Sequence, residues 1–125
     1  MNDNLLEDFG KEFIKNVRDV SIEQYEMIQT GNLNSESAQN LFKILSSFDQ
    51  EQKEKIDYVV KNIIDRVLHK TLYMFEVSSL VAIVDKEEAE NNGIEGIGDI
   101  SDGLAGELYS EDGWIANYSE YPYNE

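Results

Sequence analysis

The stretch from Asp49 to Phe75, DQEQKEKIDYVVKNIIDRVLHKTLYMF, is the longest regular pattern in the chain. Its apolar residues are Ile56, Val59, Val60, Ile63, Ile64, Val67, Leu68, Leu72 and Phe75. Gaps of mostly three and four place them on one stripe of a helix. Lys53, Asp57, Lys61 and Asp65 take the opposite face. The stripe is wider than a coiled-coil seam, so the pattern predicts a core helix around which others pack. Asp49, with Gln52 three residues on, is a capping box that marks where this helix begins.

The rest of the chain is read against that helix. Leu5, Leu6, Phe9, Phe13, Val17, Val20 and Ile28 keep helical spacing over 4–30. Asp3 or Asn4 caps this segment, and Glu7 and Asp8 suit its positive N-terminal end. Gly31 is placed to end it in a left-handed turn. Gly10, inside it, costs about 1 kcal/mol against Ala and so points to close packing. A kink is expected near 19–21. Ala38, Leu41, Phe42 and Leu45 give a second helix over 36–47, capped by Asn34 or Ser35.

Beyond the central helix the pattern shortens. Leu80–Val84 reads as a strand or as the start of a further helix; Glu87, Glu88 and Glu90 would crowd that helix's negative end, which favours the strand. Asn92-Gly93 is a turn signal, and Ile94, Ile97 and Ile100 supply a partner strand or a buried loop. Short helices follow over 102–109 and from Trp114 to Ser119, and Pro122 makes the last residues an extended tail. The expected fold is therefore mainly α and a single domain. It has three principal helices in 1–79, a strand or loop region with a short β-hairpin over 80–100, short helices in 101–119 and a tail at 120–125.

Charge narrows the class of partner. The net charge is −16, and residues 86–125 hold one basic and eleven acidic residues. Direct contact with nucleic acid or an anionic membrane is disfavoured, and a basic protein is the natural counter-charge. The longest apolar run, Leu80–Val84, is far too short to span a membrane. With no cysteine, disulfides, thiolate metal sites and cysteine catalysis are excluded. The N-terminal residues lack the basic and apolar regions of a secretory signal, and a cytoplasmic setting is expected. The width of the central stripe also admits a third reading, a homodimer in which the stripe is partly an interface.

The segment SDGLAGELYSEDGWIANYS, Ser101 to Ser119, resembles a motif of small acidic bacterial proteins of unknown function whose N-terminal halves are helical. The resemblance is confined to about Asp99–Ser119 and implies a small, mainly helical bacterial domain. It brings no activity and no catalytic residue with it.

Catalytic and metal signatures are weak throughout. Glu88, Glu90, Asn92, Gly93 and Asp99 fall at EF-hand-like positions, but with Glu first and Asp last, the reverse of what calcium coordination asks. Gly96-Ile97-Gly98 is half of a dinucleotide fingerprint with acidic neighbours that repel phosphate. His69 is the one histidine, with Asp65 four residues back; a lone histidine on a long helix is more often structural. Glu107, Glu111 and Asp112 cluster, as carboxylates must in so acidic a chain. Tyr109, Trp114, Tyr118, Tyr121 and Tyr123 gather among those acids, and tyrosine and tryptophan anchor interfaces. For Trp114 the competing reading is packing on the long helices, which would staple the C-terminus down.

We therefore expect a non-enzymatic acidic binding protein of the inhibitor or immunity type, neutralising a basic partner such as a nuclease. Its expected partner face is Glu107, Tyr109, Glu111, Asp112, Trp114 and Tyr118, with no catalytic residue, metal or cofactor. The alternative is a divalent-cation-binding or small hydrolytic protein that uses the carboxylates of 86–112.

Overall fold

The computed structural model describes residues 4–87 and 96–123 and is mainly helical. Helix α1 (Leu5–Phe13) runs through a π-helical stretch (Ile14–Asp19) into α2 (Val20–Thr30). After Gly31, which takes the left-handed φ of 77° expected of it, come α3 (Glu36–Ser46) and the central α4 (Gln50–Val77). The C-terminal third adds α5 (Ile97–Ile100), a 3₁₀ turn (Ala105–Leu108) and α6 (Trp114–Tyr118). The caps of the second and central helices form as read: the Ser35 side chain accepts from Ala38 N–H, and Asp49 and Gln52 close a reciprocal capping box.

The core is assembled from both ends of the chain. Phe13 and Ile14 from the first helix and Leu68 and Leu72 from α4 meet Ile97, Leu104, Ala105, Leu108, Trp114 and Ile115. The most acidic third of the sequence thus supplies six of the ten buried residues in this cluster. Trp114, 1% exposed, is the hub, with the rings of Phe9 and Phe13 edge-on to it at 5.8 and 6.4 Å. Its indole lies flat on Gly10, where a Cβ would sit 2.5 Å from the ring. That close approach explains a glycine in the middle of α1. Among the described residues the indole N–H meets no acceptor, a cost of about 1–3 kcal/mol that the apolar packing offsets.

Three expectations are corrected. The central stripe does not bury as a unit: Leu68 and Leu72 are buried, but Val59, Ile63 and Val67 are 55, 53 and 56% exposed. The C-terminal module and the first helix cover only one side of α4. Its outer face, continued by Met74 and Val77, stays open. The hairpin over 80–100 is not formed among the described residues. There one antiparallel bridge joins Val84 to Gly96, and Ile97–Ile100 is a helical turn that buries Ile97. The Asn92-Gly93 turn and the positions Glu88 and Glu90 of the calcium count lie outside the described residues. The irregularity of the first helix is the π stretch at 14–19, earlier than the kink expected at 19–21.

Gly10→Ala tests the Trp114 seat. Helix propensity alone would raise stability by about 1 kcal/mol, whereas the clash with the indole should lower it by roughly 1–3 kcal/mol. Urea denaturation of the two proteins gives the sign.

Candidate functional site

The feature that fixes the protein's C-terminal surface is a buried arginine. A π stretch sets residues five apart on one face, so Ile14 and Asp19 turn inward together with Arg18. Arg18 is fully buried. Its Nε donates to Asp65 Oδ1 at 2.6 Å and its Nη2 to Asp65 Oδ2 at 3.2 Å, a two-point pairing with α4. Its remaining N–H groups reach the chain end: Nη1 donates to Ser119 Oγ at 2.8 Å and to the Tyr121 carbonyl, and Nη2 to the Pro122 carbonyl at 3.4 Å. A guanidinium has five N–H donors, and here each has an acceptor. Asp19 completes the clasp, accepting from Ser119 Oγ at 2.5 Å and from Glu120 N–H at 3.1 Å. The residues after α6, expected as an extended tail, are strapped down over Arg18 as far as Pro122.

The module is tied at other points too. Glu76 on α4 accepts from the Ala105 N–H at 3.3 Å, at the head of the 3₁₀ turn. Tyr118 donates its hydroxyl to Glu7 on α1, and Lys11 lies over its ring at 5.7 Å. Its hydrogen bond to the Glu7 carboxylate, helped by burial, pushes the Tyr118 phenol up to about 12. Burial and the nearby Asp57 do the same for Tyr25.

With the strap closed, Tyr123 comes against Tyr109, ring centroids 5.2 Å apart, and Tyr109 stacks on His69 at 5.7 Å. Burial, followed by Tyr123 and Asp65, raises the Tyr109 phenol above its ordinary value. This aromatic ridge separates two hollows. The larger, about 760 Å³, runs between Tyr58 on α4 and the segment Tyr109-Ser110-Glu111, with Pro122 and Tyr123 closing it. Ser110 takes a left-handed φ of 79°, a conformation costly for a residue with a side chain and found preferentially at functional sites. The smaller hollow, about 410 Å³, lies on the other side, where Arg66, His69 and Lys70 of α4 face Tyr109 and Tyr123.

The expected partner face is only partly brought together. Tyr109 and Glu111 line the larger hollow, and Asp112 is exposed beside it. Glu107 is half-buried and accepts from Ser101 Oγ at 2.9 Å; Tyr118 is held by Glu7; Trp114 lies in the core and presents nothing to a partner. Tyr58, Pro122 and Tyr123 complete the surface instead. Among the described residues, no three of His, Cys, Asp and Glu are grouped so as to hold a metal ion, and no helix is long and apolar enough to cross a membrane. His69 faces the tyrosine ridge on the ring side, and Asp65 gives both carboxylate oxygens to Arg18 rather than to His69.

No protein-family model, curated protein or solved structure matches the chain. The reading of the site therefore rests on its own chemistry.

Because the folded Tyr118 keeps its proton above the ordinary value of 10, stability should fall as pH rises from 10 towards 12. Followed by tyrosinate absorbance, two tyrosines, Tyr25 and Tyr118, should ionise near 12. In Glu7→Gln, Tyr118 should move back towards 10 while Tyr25 stays; unchanged titration would disprove the Glu7 bond.

Proposed function

We propose that the protein is a non-enzymatic binding module that captures a basic protein and occludes it, as an inhibitor or immunity-type protein does a nuclease. The observation that carries this reading is the tyrosine-walled hollow of Tyr58, Tyr109 and Tyr123, rimmed by Glu111 with Asp112 beside it, on the most acidic third of a chain of net charge −16. Tyrosines offer large contact area with few rotatable bonds, and acids at the rim steer a cationic partner and strengthen its encounter. The Arg18 strap supports the reading further: a surface held in place before binding loses little conformational freedom when the partner arrives. A lysine or arginine side chain entering the hollow would find ring faces for cation–π contact and a carboxylate at the mouth.

Immobilised protein challenged with lysate of the source cell tests this. At about 20 mM salt a basic protein should be retained, and it should elute near 300 mM as screening shortens the reach of the acids. The variant Tyr58→Ala/Glu111→Ala/Tyr123→Ala changes no buried side chain and should retain at least about tenfold less. Equal retention by both proteins, or retention of acidic proteins only, would refute the reading.

A further inference from the structure

Basic side chains are scarce in this chain, ten against twenty-six acidic, yet Arg66 and Lys70 stand one helical turn apart with His69 between them. Like charges at that spacing weaken a helix. Neither Arg66 nor Lys70 has a salt-bridge partner among the described residues, whereas Lys55 and Lys61 on the same helix pair with Glu51 and Asp57 at 3.5 and 3.1 Å. Of the α4 cations, Lys53, Arg66 and Lys70 have no ion pair among the described residues, and Arg66 and Lys70 share the wall of the smaller hollow.

The hollow itself is arranged for an anion. Asn62 Oδ1 accepts from Arg66 Nε at 2.8 Å, which orients the guanidinium and leaves both terminal nitrogens as donors. The one carboxylate among the lining residues, Asp65, is 2% exposed and has both oxygens on Arg18, which offsets its charge and keeps it from competing for Arg66 and Lys70. The Tyr109 hydroxyl donates to the Asp65 carbonyl at 3.4 Å, and Tyr109 forms part of the wall. His69 lies along that ring at an interplanar angle of 26°, and Tyr123 closes the far side. Paired cations on one wall, an aromatic surface on the other and a volume of about 410 Å³ suit a small ligand.

We propose that this hollow binds a small anion that carries a planar ring, a phosphate monoester or carboxylate whose charged group sits on Arg66 and Lys70 and whose ring lies on Tyr123. It is separate from the acidic hollow across the tyrosine ridge and needs no protein partner.

Calorimetry and amide chemical-shift mapping with four probes test this: phenyl phosphate, adenosine 5′-monophosphate, benzoate and inorganic phosphate. The ring-bearing phosphates should bind at least about tenfold tighter than inorganic phosphate, and the amides of residues 62–70 and 109 should shift. Comparing benzoate with phenyl phosphate tells carboxylate from phosphate ligands. Arg66→Gln/Lys70→Gln alters only exposed side chains, so its melting should match the parent while affinity drops by at least about tenfold. Tyr123→Ala should remove the advantage of the ring but leave inorganic phosphate binding. No shift with any probe at about 5 mM, or binding that survives the double glutamine variant, would overturn the proposal. Neither glutamine substitution touches the acidic hollow, so failure here leaves the capture of a basic protein to be judged on its own experiment.

Discussion

Everything at the C-terminal end of this protein depends on one buried cation. Moving a guanidinium out of water is strongly unfavourable unless each donor finds an acceptor and its charge is met. Arg18 satisfies both conditions at once, with the Asp65 carboxylate for charge and Ser119, Tyr121 and Pro122 for the remaining donors. These acceptors come from elements far apart in sequence, so the cost of burying Arg18 is offset only when first helix, central helix and chain end meet. That makes the pairing a device of specificity: it selects one arrangement of the C-terminal module over others that would bury similar apolar area.

The consequence for function follows from geometry. Tyr123 stands one residue past Pro122, the last acceptor of the strap, and its ring meets Tyr109. Without the strap, the ridge between the two hollows would lose one of its two tyrosines, and both hollows would open. The same module carries the core, because Trp114 and Leu108 are buried beside it. A chain with so many acids can still bury a core there: among the described residues Leu104, Ala105, Leu108, Trp114 and Ile115 are buried while Asp102, Glu111, Asp112 and Glu120 are exposed.

Much of the local structure was legible in the sequence, and little of the long-range pairing. The capping box at Asp49, the left-handed stop at Gly31 and the close packing at Gly10 each follow from the chemistry of one or two residues. The burial of the helices does not, because an apolar stripe announces a helix without saying how much of it will be covered. Val17 and Val20 keep the helical spacing of the first segment yet are 40 and 51% exposed, whereas Ile14, Arg18, Ile22 and Tyr25 turn inward. That inward register is itself three and four apart, with arginine standing where an apolar residue belongs. An arginine in such a register, next to an aspartate, was the signal available for the clasp. The cation pair at Arg66 and Lys70 was equally visible as a break in the balance of charge along α4, but the tyrosines that make it a hollow arrive from forty and more residues away. Helical periodicity cannot report that.

A double-mutant cycle on Arg18 and Asp65, measured by chemical denaturation, bears most directly on this account. Arg18→Met and Asp65→Leu should each cost about 3–5 kcal/mol, because each leaves the other charge buried and unpaired. Together they should cost well under the sum, with a coupling of at least about 2 kcal/mol and a residual loss from the unpaired carbonyls of the strap. Losses that simply add, within about 0.5 kcal/mol, would contradict the claim that this pair organises the protein's C-terminal end.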